Sequence, residues 1–297
     1  FLEEYSTPYK IPPFQDIKLE HYMPAFQEGM KEHLIEINQI VKNPEDPTFE
    51  NTIVELERTG KTLDKVSSVF FNLLSSNTNE EMDKIAQEIS PMLSAHRDKI
   101  SLNLDLFNKI QNIYLKKNSL SLTTEQLRLI DETYKGFIRS GVQLSPDSMN
   151  KLTKINKQLS SLSLKFDQNL LKETNEGYSL IIEDENMLEG LPKDVINQAK
   201  ELAEANDNKG KWVFKPTRVS MYPFLTYSTK RELREKLYNS YIKRGDNNNE
   251  KDNKNLAIQM VDLRTQKANL LGYKTHADFV LENTMAQNTG RVKKLLD

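Results

Sequence analysis

The segment that decides the fold reads TKRELREKLYNSYIKRG over residues 229–245 and, after an Asn/Asp-rich break, NLAIQMVDLRTQKANLLGYKTHADFVLENTMAQ over residues 255–287. Apolar residues recur in both parts at intervals of three and four, the spacing that places side chains on one face of a helix. Gly245 and Gly272 follow these periodic runs, and glycine readily adopts the left-handed conformation that ends many helices. The sequence therefore predicts helices joined by polar connections throughout this segment.

Two capping boxes mark predicted helix starts within the segment. In a capping box, a threonine at the helix start and an acidic residue three positions later each satisfy a free backbone donor. Thr229 with Glu232, and Thr275 with Asp278, have this spacing. We therefore expect one helix to begin at each threonine.

Long helices are also predicted for most of the preceding chain. The clearest seam alternates steps of three and four residues, which predicts one helix packed along an antiparallel neighbour. Its members are Ile53, Leu56, Gly60, Leu63, Ser67, Phe70 and Leu74. A second long helix is expected to begin at Ser145-Pro146-Asp147 and to carry Asn156 on its seam. We interpret Gly60 and Asn156 as positions that let helices approach closely.

Two short runs rich in β-forming residues interrupt the helices after Asn175. These runs are residues 178–182 and 212–214, and we expect them to pair as a small sheet. The predicted fold class is thus mainly all-α, with long antiparallel helices and a small β excursion.

Composition argues against several classes of protein. The 43 acidic residues nearly balance the 41 basic ones, so the formal net charge of -2 gives no electrostatic reason to expect binding to nucleic acid or to an anionic membrane. The absence of cysteine excludes disulfides and thiolate metal sites. No apolar run approaches the roughly 20 residues that a membrane-spanning helix needs.

One basic and aromatic stretch allows two interpretations. Its members are Arg231, Arg234, Lys236, Lys243 and Arg244, with Tyr238 and Tyr241. A nucleic-acid face would combine such residues, but Glu232 and Glu235 are interleaved with them. We therefore predict ion pairs within the helix and no binding of nucleic acid.

None of the four histidines fits a zinc-binding helix motif. The motif His-Glu-x-x-His places two metal ligands one turn apart and supplies a general base between them. His21, His33, His96 and His276 are each followed by a residue other than glutamate, and no two stand four positions apart. We therefore assign no catalytic residue and no metal ligand in this chain. Each histidine is expected to be a surface or half-buried residue.

Several stretches nevertheless resemble a known family. Arg231–Glu235, Tyr241–Gly245, Gly272–Phe279 and Met285-Ala286 resemble the region upstream of the catalytic domain in zinc metallopeptidases of the thimet oligopeptidase and neurolysin family. The sequence of Gly272–Phe279 is most similar to that of the bacterial peptidyl-dipeptidase (dipeptidyl carboxypeptidase) branch of this family. A weaker resemblance reaches back to Pro12-Pro13-Phe14, so it covers nearly the whole chain but only the non-catalytic part of the family's sequence.

Together with the patterns above, the resemblance implies three regions and a neurolysin-like N-terminal portion. Residues 1–174 would form a helical N-terminal region with long helical hairpins. Residues 175–228 would form a small β-containing insertion. Residues 229–297 would form helices leading into a catalytic domain that is absent from this chain.

The resemblance also implies a function for the complete enzyme. It would hold zinc in residues outside this chain and hydrolyse short unfolded peptides, releasing C-terminal dipeptides. This helical part would form one wall of a deep cleft and would work with the missing catalytic domain. By itself the chain is expected to bind no zinc and to be inactive, and its substrate-binding residues are not assigned. Two alternatives stay open: an oligopeptidase of the same family that cuts internally, and a stand-alone helical binding or scaffold module.

The two ends of the chain lead to further expectations. Phe1 is not an initiator methionine, so we expect that an export leader or another upstream segment has been removed. A cytoplasmic and a periplasmic or exported location are both left open. The last periodic run starts at Thr289 and stops at Asp297 after barely two turns, so we expect a longer parent chain.

Overall fold

The structure is a computed structural model that describes residues 1–297. Helices account for most of the chain, which confirms the predicted mainly all-α fold class. The α-helices are α1 (Tyr22–Lys42), α2 (Glu55–Arg58), α3 (Lys61–Ser76), α4 (Glu80–Ser101), α5 (Leu104–Lys116), α6 (Thr124–Ser140), α7 (Pro146–Glu176), α8 (Lys193–Ala205), α9 (Arg218–Tyr227), α10 (Arg231–Ile242), α11 (Lys254–Leu270), α12 (His276–Leu281) and α13 (Thr289–Leu296). None of these helices combines the length and the apolar character that crossing a lipid bilayer requires.

Two short strands, β1 (Leu180–Ile182) and β2 (Trp212–Phe214), form an antiparallel pair with Leu180 opposite Phe214. The predicted pairing of the two β-rich runs is therefore confirmed. Alternate side chains of a strand point to opposite faces, and accordingly Ile181 is exposed while its two neighbours in β1 are buried. The buried face of this sheet packs with residues of α8, α9 and α10.

The chain divides into two compact units. Unit 1 comprises Phe1–Leu164 and Met260–Asp297, and unit 2 comprises Lys165–Gln259. Unit 1 contains two apolar clusters, one built from α1, α3 and α4 and the other from α1, α5 and α6. In the first cluster, Phe26 and Phe70 are fully buried and meet edge to face with ring centroids 5.4 Å apart. Unit 2 contains one cluster around its sheet. The three regions predicted from the sequence stay a prediction.

The single helix predicted across residues 53–74 is wrong at Gly60. A π-helical turn (Phe49–Val54) and α2 precede a break, and α3 starts only at Lys61. Gly60 has a φ of 78°, and its N–H donates to Glu36 Oε2 at 2.7 Å. A Cβ at Gly60 would lie 2.9 Å from the ring of His33. Gly60 therefore allows the backbone to adopt a left-handed conformation beside the His33 ring, between α2 and α3. It is not part of one continuous helix.

The predicted capping box of Thr229 and Glu232 is also wrong. Helix α10 begins two residues after Thr229, and its N-cap residue, Lys230, makes no side-chain cap. The Thr229 hydroxyl donates instead to the carbonyl oxygen of Glu189 at 3.2 Å, and the Thr229 N–H donates to the same oxygen at 3.1 Å. The Thr229 side chain thus makes a tertiary hydrogen bond and does not form the helix cap that its local spacing had predicted.

Two other predicted helix starts are confirmed. In α12, the Asp278 N–H donates to Thr275 Oγ1 and the Thr275 N–H donates to Asp278 Oδ2, each at 3.1 Å. Helix α7 begins at Pro146, and the Ser148 N–H donates to Ser145 Oγ at 3.4 Å. These caps satisfy backbone donors that have no partner inside the helix.

Candidate functional site

A polar cavity of about 640 Å³ lies in unit 1, lined by α3, α4, α6, α7, α11 and α12. Helical spacing aims the lining residues of α4 and α7 into it, since residues three, four and seven positions apart share a helix face. Six serines contribute to its walls: Ser90, Ser94, Ser101, Ser140, Ser160 and Ser163. The charged and amide side chains of the lining are Arg97, Asp98, Arg139, Asn156, Lys267 and Asn283.

A chain of hydrogen bonds joins three of these side chains across the cavity wall. Asn156 Nδ2 donates to Asp98 Oδ1 at 2.9 Å, and Lys267 Nζ donates to Asn156 Oδ1 at 2.7 Å. Asp98 is only 8% exposed, and its second oxygen, Oδ2, is buried without a hydrogen-bond partner. Asn156, interpreted from the sequence as a residue for close helix packing, also connects a buried carboxylate to an ammonium group. The packing interpretation of Asn156 stays a prediction.

Burial shifts the pKa values of the two charged groups in this chain in opposite directions. Burial raises the pKa of the Asp98 carboxyl, while the hydrogen bond from Asn156 and the charge of Lys267 oppose that rise. Burial lowers the pKa of Lys267, and the attraction of Asp98 opposes that fall. Each charge therefore stabilises the other in a setting that penalises both.

Arg139 fixes one rim of the cavity by holding α12 against α6. Its guanidinium forms an ion pair with Glu282, donates to the carbonyl oxygen of Phe279 at 2.7 Å and lies 4.6 Å from the centre of the Phe279 ring. Tyr273 donates its hydroxyl proton to Glu282 Oε2 at 2.6 Å. Its side chain is only 16% exposed, so most of this arginine is packed into the wall.

The lining of this cavity presents several hydrogen-bonding groups. Arg97 lies within ion-pair distance of no carboxylate, so its guanidinium can hydrogen-bond a ligand. Serine hydroxyls donate and accept hydrogen bonds, as the backbone of a peptide also does. No histidine lines the cavity, so no serine here has the imidazole base that nucleophilic catalysis by a serine–histidine pair uses.

The residues of this chain do not fit the zinc ion that the resemblance implies for the complete enzyme. A catalytic zinc site needs three protein ligands, and no group of three or more His, Cys, Asp or Glu side chains is arranged to hold a metal. His33 and His96 lie closest together, with His96 Nε2 3.1 Å from His33 Nδ1. That contact is a hydrogen bond between ring nitrogens, and no third ligating side chain is grouped with the pair.

The structure corrects two sequence predictions about charged and titratable residues. His96 is buried, at 6% exposure, where a surface or half-buried position was expected. The ion pairs expected from Glu232 and Glu235 do not form: Arg234 donates to the carbonyl oxygen of Ser228 at 2.5 Å. Arg244 lies with its guanidinium 4.0 Å from the centre of the Tyr241 ring. Tertiary contacts thus replace the local pairs.

Sequence reasoning assigned no site residue and so missed Asp98, Asn156 and Lys267. The hydrogen bond between Asn156 and Asp98 joins residues 58 positions apart along the chain, and the one between Lys267 and Asn156 joins residues 111 positions apart. The available signal was weak: a polar residue, Asn156, stands among mainly apolar residues on the predicted seam of a long helix. Such a residue must find a partner when the seam is buried, because an unpaired polar group in a protein interior is destabilising.

Comparison with known proteins gives one family match and several relatives. Residues 224–297 match the model of Peptidase family M3. The chain is 32% identical over 287 residues to the dipeptidyl carboxypeptidase of Escherichia coli (strain K12), covering 97% of this chain and 42% of that protein. It is 30% identical over 291 residues to the oligopeptidase A of Haemophilus influenzae, covering 97% of this chain and 42% of that protein. The chain therefore spans less than half the length of the curated relatives it matches.

Proposed function

We propose that this chain, which belongs to peptidase family M3, is the non-catalytic, substrate-channel part of a zinc peptidyl-dipeptidase that releases dipeptides from the C-terminus of short peptides. One observation carries the proposal. The similarity to a dipeptidyl carboxypeptidase extends over 97% of a chain that contains no His-Glu-x-x-His motif. In this proposal the zinc is held by residues outside the 297 of this chain, and it supplies the activation of water for peptide hydrolysis.

The polar cavity of unit 1 supplies what a channel wall needs. Its volume, about 640 Å³, is in the range of small-ligand sites and suits a few residues of unfolded peptide. The serine hydroxyls and the Arg97 guanidinium would hydrogen-bond the peptide backbone and its carbonyl oxygens. A chain held in this way loses freedom before reaction, which lowers the entropic part of the barrier. These residues therefore bind and orient, and the bond cleavage is done elsewhere.

Exposed apolar side chains favour this role over a stand-alone helical module. Met285 is 97% exposed, Leu295 86% and Leu296 80%, all in unit 1. Exposed apolar groups of this kind are typical of surfaces that pack against another domain or chain. A catalytic domain of the same protein is the partner that the family membership favours.

A second candidate keeps the family and changes the cleavage position. The 30% identity to an oligopeptidase A, over 97% of this chain, favours an enzyme that cuts peptides internally. The two candidates differ in whether a free C-terminal carboxylate is required, because only a peptidyl-dipeptidase measures its cut from that end.

Protein expressed from the complete gene tests the proposal. Incubated with matched peptides that differ only in having a free or an amidated C-terminus, it should release dipeptides from the free form alone, as read by mass spectrometry. Equal cleavage of both peptides at internal bonds would establish the oligopeptidase alternative. Peptide hydrolysis by residues 1–297 alone would overturn the non-catalytic role.

The role of the cavity has a separate test in the complete enzyme. Arg97→Gln removes the cavity's free guanidinium and should raise KM for peptides while kcat changes little, because a binding contact is lost. Lys84→Gln is the matched control, since Lys84 is exposed on the same helix and does not line the cavity. An unchanged KM in Arg97→Gln would show that the cavity does not form part of the substrate channel.

A further inference from the structure

A second cavity, of about 700 Å³, lies in unit 2 and is lined largely by basic and amide side chains. Lys236, Lys243 and Arg244 are its three cationic residues, and Glu173 is its only acidic one. Asn239 and Tyr178 also line it. Nothing in the proposed channel of unit 1 uses them.

Glu173 forms no ion pair with the cations of this cavity, because its carboxylate accepts hydrogen bonds from the loop that follows α10. It is 5% exposed and accepts hydrogen bonds from the Gly245 N–H, from Asn247 Nδ2 at 3.0 Å and from Asn249 Nδ2 at 2.7 Å. Burial raises the pKa of Glu173, but these hydrogen bonds and the charge of Lys251 outweigh it, so the pKa lies below its ordinary value. The carboxylate stays ionised and holds the loop that follows α10.

The three cations have no carboxylate within ion-pair distance. Salt bridges elsewhere in unit 2 involve other lysines, such as Lys251 with Glu176 at 2.7 Å. Arg244 donates only to neutral oxygens, Thr174 Oγ1 at 2.9 Å and the Tyr241 carbonyl at 3.0 Å. The cavity therefore carries two positive charges in excess of its negative one, and a ligand that complements it is anionic.

Helix geometry gives the spacing of that ligand's charges. Lys236 lies on α10 and Lys243, seven positions further along, is the C-cap residue of that helix, so the two backbone positions lie about 10 Å apart along the helix axis on one side of it. An extended peptide in the polyproline II conformation has three residues per turn and advances about 3.1 Å per residue, so acidic side chains three positions apart lie on the same side of it and about 9 Å apart, close to this distance. Asn239 lies between the two lysines and can hydrogen-bond a peptide group. Tyr178, 44% exposed, offers an apolar surface beside them.

We infer that this cavity binds an acidic segment of an extended peptide, with two carboxylates three positions apart that pair with Lys236 and Lys243. The inference rests on the proposed function only in taking a peptide as the ligand. It adds a preference for acidic peptides and a binding site formed by residues other than those proposed to line the channel.

Equilibrium binding by the full chain tests the inference without any need for catalysis. The probe is a short peptide capped at both ends, with two glutamates three positions apart, and the comparison peptide has glutamines in their place. The expected result is saturable binding of the acidic peptide that weakens as salt is added. Lys236→Gln with Lys243→Gln should weaken it about three- to thirtyfold, the effect of losing two exposed ion pairs.

The matched control is Lys200→Gln with Lys209→Gln, which removes the same charge from exposed positions of unit 2 outside the cavity. This control should bind the acidic peptide as the unchanged protein does. Equal loss in both double variants, equal binding of the glutamine peptide, or absence of saturable binding would each overturn the inference. Displacement of the peptide by inorganic phosphate at equal concentration would also overturn it, since the site would then recognise a small anion. Failure of dipeptide release would leave this result standing, so the two proposals fail separately.

Discussion

His96 Nε2 lies 3.1 Å from His33 Nδ1, and this contact joins α4 to α1 inside unit 1. The hydrogen-bond directions follow from Thr59, whose hydroxyl donates to the Leu56 carbonyl at 2.7 Å. The Thr59 oxygen is thus free to accept from His33 Nε2, 3.1 Å away. His33 then accepts at Nδ1 from the His96 Nε2–H, and both imidazoles are neutral. A proton on His33 Nδ1 would place two donors face to face.

This pair makes stability depend on pH. Burial, followed by the charges of His33 and Lys99, lowers the pKa of His96 from 6.5 to about 4. Burial also lowers the pKa of His33, against the attraction of Glu36 and Asp64. Because the unfolded chain takes up a proton near pH 6.5 and the folded chain resists until near pH 4, stability is full above pH 6.5 and falls as pH drops towards 4.

We expect unfolding midpoints in denaturant to show this loss between pH 7 and pH 4.5, with about 2 kcal/mol of it assignable to the histidine pair. His96→Leu should flatten the difference in unfolding free energy between the two pH values. His21→Gln is the control, because His21 lies at the surface of the N-terminal turn. A pH dependence that His96→Leu leaves intact would contradict this account.

Gly60 provides a second prediction, on backbone conformation. Gly60→Ala should destabilise the fold by about 2 kcal/mol, because a side chain disfavours a φ of 78° and the new Cβ meets the His33 ring at 2.9 Å. Gly136→Ala is the matched control: Gly136 lies inside α6 with nothing within 4 Å of an added Cβ. It should stabilise by about 0.5–1 kcal/mol through helix propensity. Thermal unfolding of both variants checks the pair, and similar melting temperatures would refute the assigned role of Gly60.

The sequence predicted the elements of this fold much better than its tertiary contacts. Helical period, caps such as Thr275 with Asp278, and the β-rich runs are local signals, and the structure confirms them. The break at Gly60 was not predicted, because it is short and the residues on either side of it keep the same three-and-four spacing. The hydrogen bond of Thr229 was not predicted, because its partner, Glu189, lies 40 positions away along the chain.

The candidate site was hidden from the sequence for the same reason. Asp98, Asn156 and Lys267 lie on three different helices, and each by itself has the pattern of an ordinary helical residue. Their meeting depends on how α4, α7 and α11 pack, which no periodicity in one helix specifies. A buried polar chain therefore became visible only with the fold.

The hydrogen-bonded chain in the unit 1 cavity gives a third prediction. Lys267→Met keeps most of the side-chain volume but leaves Asp98 buried with an orphan oxygen and without a nearby ammonium. We expect a loss of about 1–3 kcal/mol of unfolding free energy, because an uncompensated buried charge is strongly destabilising. Lys293→Met, at an exposed position of α13, should change stability by less than about 0.5 kcal/mol. Equal unfolding midpoints for the two variants would mean that Lys267 does not compensate Asp98.

Glu173 gives the last prediction, which concerns the loop after α10. Its carboxylate binds the Gly245 N–H and the side-chain amides of Asn247 and Asn249. Glu173→Gln turns one acceptor oxygen into a donor facing other donors, so the loop should lose its anchor. We expect about 1–3 kcal/mol of destabilisation and faster proteolytic cleavage within residues 246–252.

The matched control is one turn away on the same helix. Glu176→Gln breaks an ion pair with Lys251, but the Glu176 side chain is 62% exposed, and pairs of that kind contribute little. Its cleavage rate should therefore stay close to that of the unchanged protein. Cleavage of the loop at equal rates in Glu173→Gln and Glu176→Gln would show that the loop is held by other contacts. If Glu173 anchors the loop, losing its buried carboxylate, which accepts hydrogen bonds from three residues, must raise the cleavage rate more than losing an exposed ion pair.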